Sequence, residues 1–260
     1  MADIAKVSEV AIANIAKIST VDIANVNSVD GAVATTTVSW ADWDEASESG
    51  LASADTFVCL MENVSAGGNE TGEGGGLTGS DLILTQVNNI PGVSGGFRQL
   101  TSGSQQRFDW TAAALNSLIK DQSEWTIVMK CKNLTNMTSS NRPIIQWRVG
   151  STFLDITSDS VGTGKIRFLY NTSDVTSTDV VPSSGNIYFC IWRKAGAVKA
   201  GFIATRPTNE SDFAASKTCE STNDAAYTTT FVNSYILGDT ARWTNAFIAY
   251  IVVSKSALFG

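Results

Sequence analysis

A chain of 260 residues with 43% hydrophobic and 17% charged side chains is long enough to bury a large core and too apolar to remain disordered. Its net charge of −7 argues against general affinity for nucleic acid or anionic membrane, both of which need clustered Lys and Arg. With no histidine anywhere, His-based acid–base chemistry, Ser–His and Cys–His nucleophile pairs and ordinary zinc sites are removed together.

The chain opens on an 11-residue repeat. "IAKVSEVAIAN" (4–14) is followed by "IAKISTVDIAN" (15–25) and by a degenerate third copy starting at Val26. Apolar residues fall at Ile4, Val7, Val10 and Ile12 and then recycle, a mean spacing of about 2.75 where a right-handed hendecad helix wants ~3.67. That spacing smears apolar groups around a helix, and the β-branched side chains favour extended chain. Two-residue turns at Ser8-Glu9, Ser19-Thr20 and Asp30-Gly31 would fold it into hairpins; the alternative is one extended thread. Neither form can build its own core. Residues 1–35 are therefore expected to be an anchoring arm that docks on a partner or on sister chains. Its contact residues would be Ile4, Val7, Ile12, Ile15, Ile18, Ile23 and Val26.

Over residues 36–260 the texture changes to short β-patterned runs between Gly, Ser, Asn and Thr clusters, the spacing of an all-β sandwich. Strands are expected at 36–40, 56–62, 81–87, 97–100, 106–110, 125–132 and 143–149. Further strands follow at 153–158, 165–171, 187–194, 198–204, 233–239 and 246–255. "TAAALNSLIKD" (111–121) predicts a short helix capped by Thr111, with Ala114, Leu115, Leu118 and Ile119 on one face. "AGGNETGEGGGLTGS" (66–80) reads as a loop. None of the cysteines 59, 131, 190 and 219 lies in a Cys-x-x-Cys pair, so buried thiols are expected and disulfides stay open.

Catalytic chemistry finds little support. Glycoside hydrolysis needs two carboxyls about 5–10 Å apart. Glu210-Ser211-Asp212 has no third acid at a suitable spacing. "WADWDEASE" (40–48) places Asp42, Asp44, Glu45 and Glu48 beside two tryptophans but reads as an acidic turn. Calcium suits an oxygen-rich chain better than a transition metal. Asp155, Asp159 and Asp239 are the candidate ligands, although no Asp-x-Asp-x-Asp-Gly loop exists. Candidate sugar platforms are Trp147, Trp243 and Tyr227, with Trp192 and Tyr170 as further aromatics; Trp243, next to Arg242, is the one expected to be partly exposed.

Residues of about 100–258 resemble the concanavalin A-like, laminin-G-type jelly-roll family. "RFDWTAAALNSLIKDQSEWTIVMKCKN" looks like its helix-then-central-strand passage, and "RPIIQWRVGSTFLDITSDSVGTGKIRFLYN" like its three-strand meander. "IYFCIWRKAGAVKAGFI" looks like its solvent-facing hairpin, and "NSYILGDTARWTNAFIAYIVVSKSAL" like its closing strands. The opening repeat separately resembles short IAK repeats at the start of tailed-bacteriophage structural proteins, with Ser8-Glu9 and Ser19-Thr20 where relatives often carry Asn-Gly.

The resemblances imply a non-enzymatic virion protein without a cofactor. Its repeat would hold capsid or tail proteins, and the sandwich would project as decoration or as a fibre head, in a homo-oligomer. A module binding host surface glycans is the alternative, and a degenerate glycanase the third reading. No secretory signal opens the chain and no apolar run nears the ~18 residues of a membrane span. Synthesis in the host cytoplasm and a place in the virion, without membrane insertion, are the expectation.

Overall fold

The computed structural model describes residues 39–43, 50–62, 67–93, 96–149, 152–228 and 230–259. The repeat arm, with its seven contact residues from Ile4 to Val26, lies outside the described residues, as do Asp44, Glu45 and Glu48. In chain order the first strands are β1 (Thr56–Leu60), β2 (Glu70–Thr71), β3 (Glu73–Gly74), β4 (Ile83–Val87), β5 (Gly92–Val93), β6 (Phe97–Leu100) and β7 (Arg107–Asp109). Helix α1 (Ala112–Ile119) precedes β8 (Trp125–Lys132), β9 (Pro143–Val149), β10 (Thr152–Ser158), β11 (Lys165–Asn171) and β12 (Ser173–Val180). The chain closes with β13 (Asn186–Lys194), β14 (Ala197–Ile203), β15 (Thr218–Glu220), β16 (Asn233–Ile236) and β17 (Ala246–Ser254).

These strands form two antiparallel sheets, the β-sandwich that the jelly-roll resemblance implied. The front sheet runs β15-β14-β13-β8-β17-β1-β3, with β6 also on β17 and β5 on β6. The back sheet runs β12-β11-β10-β9-β16-β7-β4-β2. Their strand sequences differ because their faces meet different surroundings. The back sheet covers the core on one side only, so β11 alternates cleanly, with Ile166, Phe168 and Tyr170 buried and Lys165, Arg167 and Leu169 partly exposed.

The front sheet is covered on both sides. In β8, Trp125, Ile127, Met129 and Cys131 point into the main core, as the alternation predicts, while Val128 joins a second cluster on the outer face. Trp40, Trp43, Trp192, Phe213 and Phe259 cover that outer face, and the Trp40 indole donates to the Pro207 carbonyl (2.5 Å). Two-sided burial explains runs such as "IYFCIW" and "AFIAYIVV", which have little alternation. All four cysteines are buried thiols.

Helix α1 forms as its sequence predicts. The Thr111 hydroxyl accepts the Ala114 N–H (3.3 Å) and donates to Asp81 Oδ1 (2.6 Å), and Ala114, Leu115, Leu118 and Ile119 are buried. Two expectations are corrected, and one strand was not expected. Ser39 and Trp40 lead into a turn and do not extend as a strand. The glycine-rich stretch 66–80 contains β2 and β3, because glycine lets two backbones approach: a Cβ at Gly74, with φ +82°, would sit 2.2 Å from the Thr56 carbonyl oxygen. Strand β12 shows no apolar alternation because its buried positions include Ser173 and Ser177, and Ser177 Oγ takes the Ile166 N–H (3.2 Å).

Candidate functional site

The sequence-predicted aromatics do not form a platform. Trp147 is fully buried in β9 beside Phe231, and Tyr227 is 1% exposed and stacked on Phe231 at 3.9 Å. Both fill the core between the sheets, which corrects their assignment to sugar binding. Trp192 is likewise covered, by Phe213 and Phe259. Trp243 is half-buried at one end of the sandwich, and its carbonyl accepts from Asn136 Nδ2 (3.1 Å) and an Arg142 guanidinium nitrogen (3.3 Å).

The three calcium candidates are corrected as well, since other protein groups already hold their oxygens. Asp155 accepts the Trp147 N–H (3.0 Å) and the Arg148 guanidinium (2.8 Å). Asp159 closes the β10–β11 turn through the Thr163 N–H (2.8 Å) and hydroxyl (2.5 Å). Asp239 takes the Ala241 N–H (2.7 Å), the Arg242 N–H (2.6 Å) and the Arg242 side chain (2.8 Å). Among the described residues no group of three His, Cys, Asp or Glu side chains could hold a metal ion.

Two concavities flank the segment Arg242–Asn245. The larger, of about 630 Å³, is a groove where β6 meets the start of β17. The amides of Gln99, Asn133 and Asn245 line it, with the hydroxyls of Thr101, Ser102, Thr135, Ser183 and Ser184 and the ring of Phe247; its lining carries no charged side chain. Local bonds fix two of these amides. Asn245 Oδ1 accepts the Ser102 N–H (2.5 Å) and its own N–H donates to Asn136 Oδ1 (2.8 Å). Asn133, left-handed at φ 55°, accepts the Gly185 N–H at Oδ1 (3.3 Å). With Oδ1 of Asn133 and Asn245 each engaged by a backbone N–H, their amide nitrogens are the donors left for a ligand. Lys132 sits beside the groove with its ammonium over the rings of Phe97 (3.6 Å) and Phe247 (5.4 Å).

The smaller cavity, of about 290 Å³, lies on the outer face of the back sheet. Arg148 of β9, Thr157 of β10 and Arg167 and Leu169 of β11 line it from outward positions of neighbouring strands, together with Asn141 and Arg242. Each guanidinium is paired: Arg148 with Asp155 (2.8 Å), Arg242 with Asp239 (2.8 Å), and Arg167 with Asp174. The Gln146 amide joins two of these pairs, its nitrogen donating to Asp239 Oδ2 (3.3 Å) and its oxygen accepting from Arg148 (2.6 Å). Burial lifts the Asp155 carboxyl to about 7 against the pull of Arg148 and the Trp147 N–H. Burial also pushes Asp239 up, but the Ala241 and Arg242 N–H groups and the Arg242 guanidinium outweigh it and hold that carboxyl below the usual range.

The sequence flagged Arg242 only as a neighbour of Trp243 and missed Arg148, Arg167, Asn133 and Asn245. Their single readable signal is that Arg148 and Arg167 occupy the polar positions of alternating strands.

No family model and no curated protein sequence matches the chain. Its fold is similar to Trypanosoma rangeli sialidase in complex with sialic acid, at TM-score 0.51 and 10% identity over 77% of this chain and 30% of that one. It is also similar to the binding domain of botulinum neurotoxin DC in complex with SialylT, at TM-score 0.53 and 10% identity over 78% of this chain and 48% of that one. A third similar structure is of botulinum neurotoxin type C, which depends on interaction with two ganglioside molecules to enter cells. Its TM-score is 0.51 at 9% identity, over 78% of this chain and 48% of that one. The chain spans between about a third and a half of the length of these structures. At such identity the likeness is one of fold.

Proposed function

We propose that the sandwich is a non-catalytic glycan-binding module, and that the groove beside Asn245 holds the glycan. The observation that carries this is the groove's lining: three amides, two of them fixed, several hydroxyls and one ring, with no charged side chain. A sugar offers hydroxyl donors and acceptors around an apolar ring face, which such a wall complements. Three structures of similar fold were determined or described with sialic acid, SialylT or gangliosides, which supports a saccharide as ligand class. Of the carboxylates that a glycanase reading draws on, Glu210 and Asp212 have structural partners, while Asp44 and Glu45 lie outside the described residues. Asp212 takes the Thr208 and Asn209 N–H groups (2.7 and 2.9 Å), and Glu210 pairs with Lys199 (2.8 Å).

A glycan array probed with the full chain tests the proposal. Binding to a defined set of neutral saccharides, weakened about tenfold or more by Phe247→Ala, is the expected result. Binding to none, or binding indifferent to Phe247→Ala, would remove the groove as the site.

A second reading concerns the opening repeat, whose recurrent Ile and Val favour an anchor on a larger particle, with the sandwich as its displayed head. A phage virion is the particle its resemblance suggests. Each anchor side chain fully buried there would stabilise attachment by roughly 1.5–3 kcal/mol. The full chain is expected to decorate particles lacking the protein while residues 35–260 do not; equal decoration by both would refute the anchor.

A further inference from the structure

The small cavity on the back sheet is a site of different chemistry from the groove. Its lining contains the side chains of three arginines and no carboxylate. The carboxylates that pair them stand behind or beside the cavity: the Asp155 side chain is 0% exposed and that of Asp239 7%, while those of Arg148, Arg167 and Arg242 are 25–33% exposed. The Arg148–Asp155 and Arg242–Asp239 pairs therefore turn their positive ends to the opening, while Asp174, 46% exposed, stands in solvent beside Arg167.

The pairs also hold the guanidinium groups in place. Arg242 uses Nε and one terminal nitrogen on Asp239 (3.2 and 2.8 Å). Arg167 uses the same two on Asp174 and its other terminal nitrogen on Asn141 (3.0 Å). A guanidinium has five N–H donors, so donors remain for a ligand on both. Fixed donors replace the hydration that an oxyanion loses on entering a cavity, and charge-assisted bonds are about twice as strong as neutral ones. A neutral hydroxyl gains much less there. Leu169 and Thr157 add an apolar surface and a hydroxyl beside the charge, and about 290 Å³ admits one sugar ring but not a chain.

We propose that this cavity binds the carboxylate of a single acidic monosaccharide unit, with Arg148, Arg167 and Arg242 around the carboxylate and Leu169 against the ring. The saccharide class rests on the glycan-binding reading above; the oxyanion chemistry rests on the cavity. Arg242 here and Asn245 in the groove are three positions apart in the chain, so their Cα atoms lie within about 11 Å. One oligosaccharide can therefore present a neutral segment to the groove and an acidic unit to the cavity.

Calorimetric titration of the full chain with methyl β-glucuronide, methyl β-glucoside and acetate tests this. The glucuronide is expected to bind about tenfold or more tighter than either other probe, and to lose that margin in Arg167→Gln, whose Asp174 partner is exposed enough to be rehydrated. Arg242→Gln is the second variant, and each must keep the wild-type melting midpoint to be scored. Phe247→Ala should leave glucuronide binding intact. Equal affinity for the glucoside, acetate as tight as the glucuronide, insensitivity to both arginine variants, or loss on Phe247→Ala would each overturn the proposal. If the array finds no neutral glycan while the glucuronide behaves as expected, the groove reading fails and the cavity stands.

Discussion

Asp155 is the residue on which the polar face of the back sheet turns. Its carboxyl is buried, accepts a backbone N–H, and faces Arg148, yet burial lifts it to about 7. A carboxyl whose folded pKa exceeds its unfolded value of about 3.9 binds more protons folded than unfolded between those limits. Its stabilising contribution is full below about pH 4 and is lost as pH rises through 7, by up to about 4 kcal/mol. Asp174, held low by its hydrogen bond with Arg167, acts in the opposite sense: its support is present above the ordinary carboxylate range and fades as pH falls through its depressed value. The two windows do not overlap. Urea midpoints of the wild type should therefore rise from pH 8 to pH 5, and Asp155→Asn should flatten that rise. An equally flat wild type would show that Asp155 stays ionised throughout. Trp147 makes a second test at this scale. As a core residue it predicts that Trp147→Ala costs about 3–5 kcal/mol in denaturant unfolding; a folded variant of near-wild-type stability would return Trp147 to the surface.

At the scale of elements, helix α1 and the glycine-rich segment test local rules. Thr111→Ala should cost about 1 kcal/mol by removing the cap on the Ala114 N–H. Gly74→Ala should cost more, because its φ of +82° and the Thr56 carbonyl both oppose a side chain. Thermal unfolding of the two variants checks the order, and the reverse order would refute the close approach of β3 to β1. The buried Arg98–Glu70 pair (3.0 Å) ties this segment down, with Arg98 also donating to the Gly68 and Ile90 carbonyls.

Most strands were legible because apolar alternation or two-sided burial marks them, as in β8 and β17. Strand β12 was not, since serines occupy buried positions, and β2 and β3 were hidden by glycines that composition assigns to a loop. The binding residues were harder still. Aromatic identity does not say which face a ring takes, so Trp147 and Tyr227 were placed outside when they belong to the core. Arg148, Arg167 and Arg242 lie far apart in sequence and meet only through the β9–β10–β11 register and the turn after Asp239.

For the whole molecule, the layering decides where a ligand can sit. The front sheet is covered on both sides, by the main core and by the tryptophan cluster of Trp40, Trp43 and Trp192. The outer face of the back sheet instead carries Arg–Asp pairs at 107/109, 148/155 and 167/174. Recognition surface therefore concentrates on that face and at the end of the sandwich near residues 242–247. The most direct measurement is calorimetric titration of the best array saccharide into the wild type and Asn245→Ala. A glycan-binding groove predicts saturable binding weakened about tenfold or more in the variant, titrated well below its melting transition because the loss of Asn245 Oδ1 also unpairs the Ser102 N–H. Equal affinity in both proteins would contradict the groove as the glycan site.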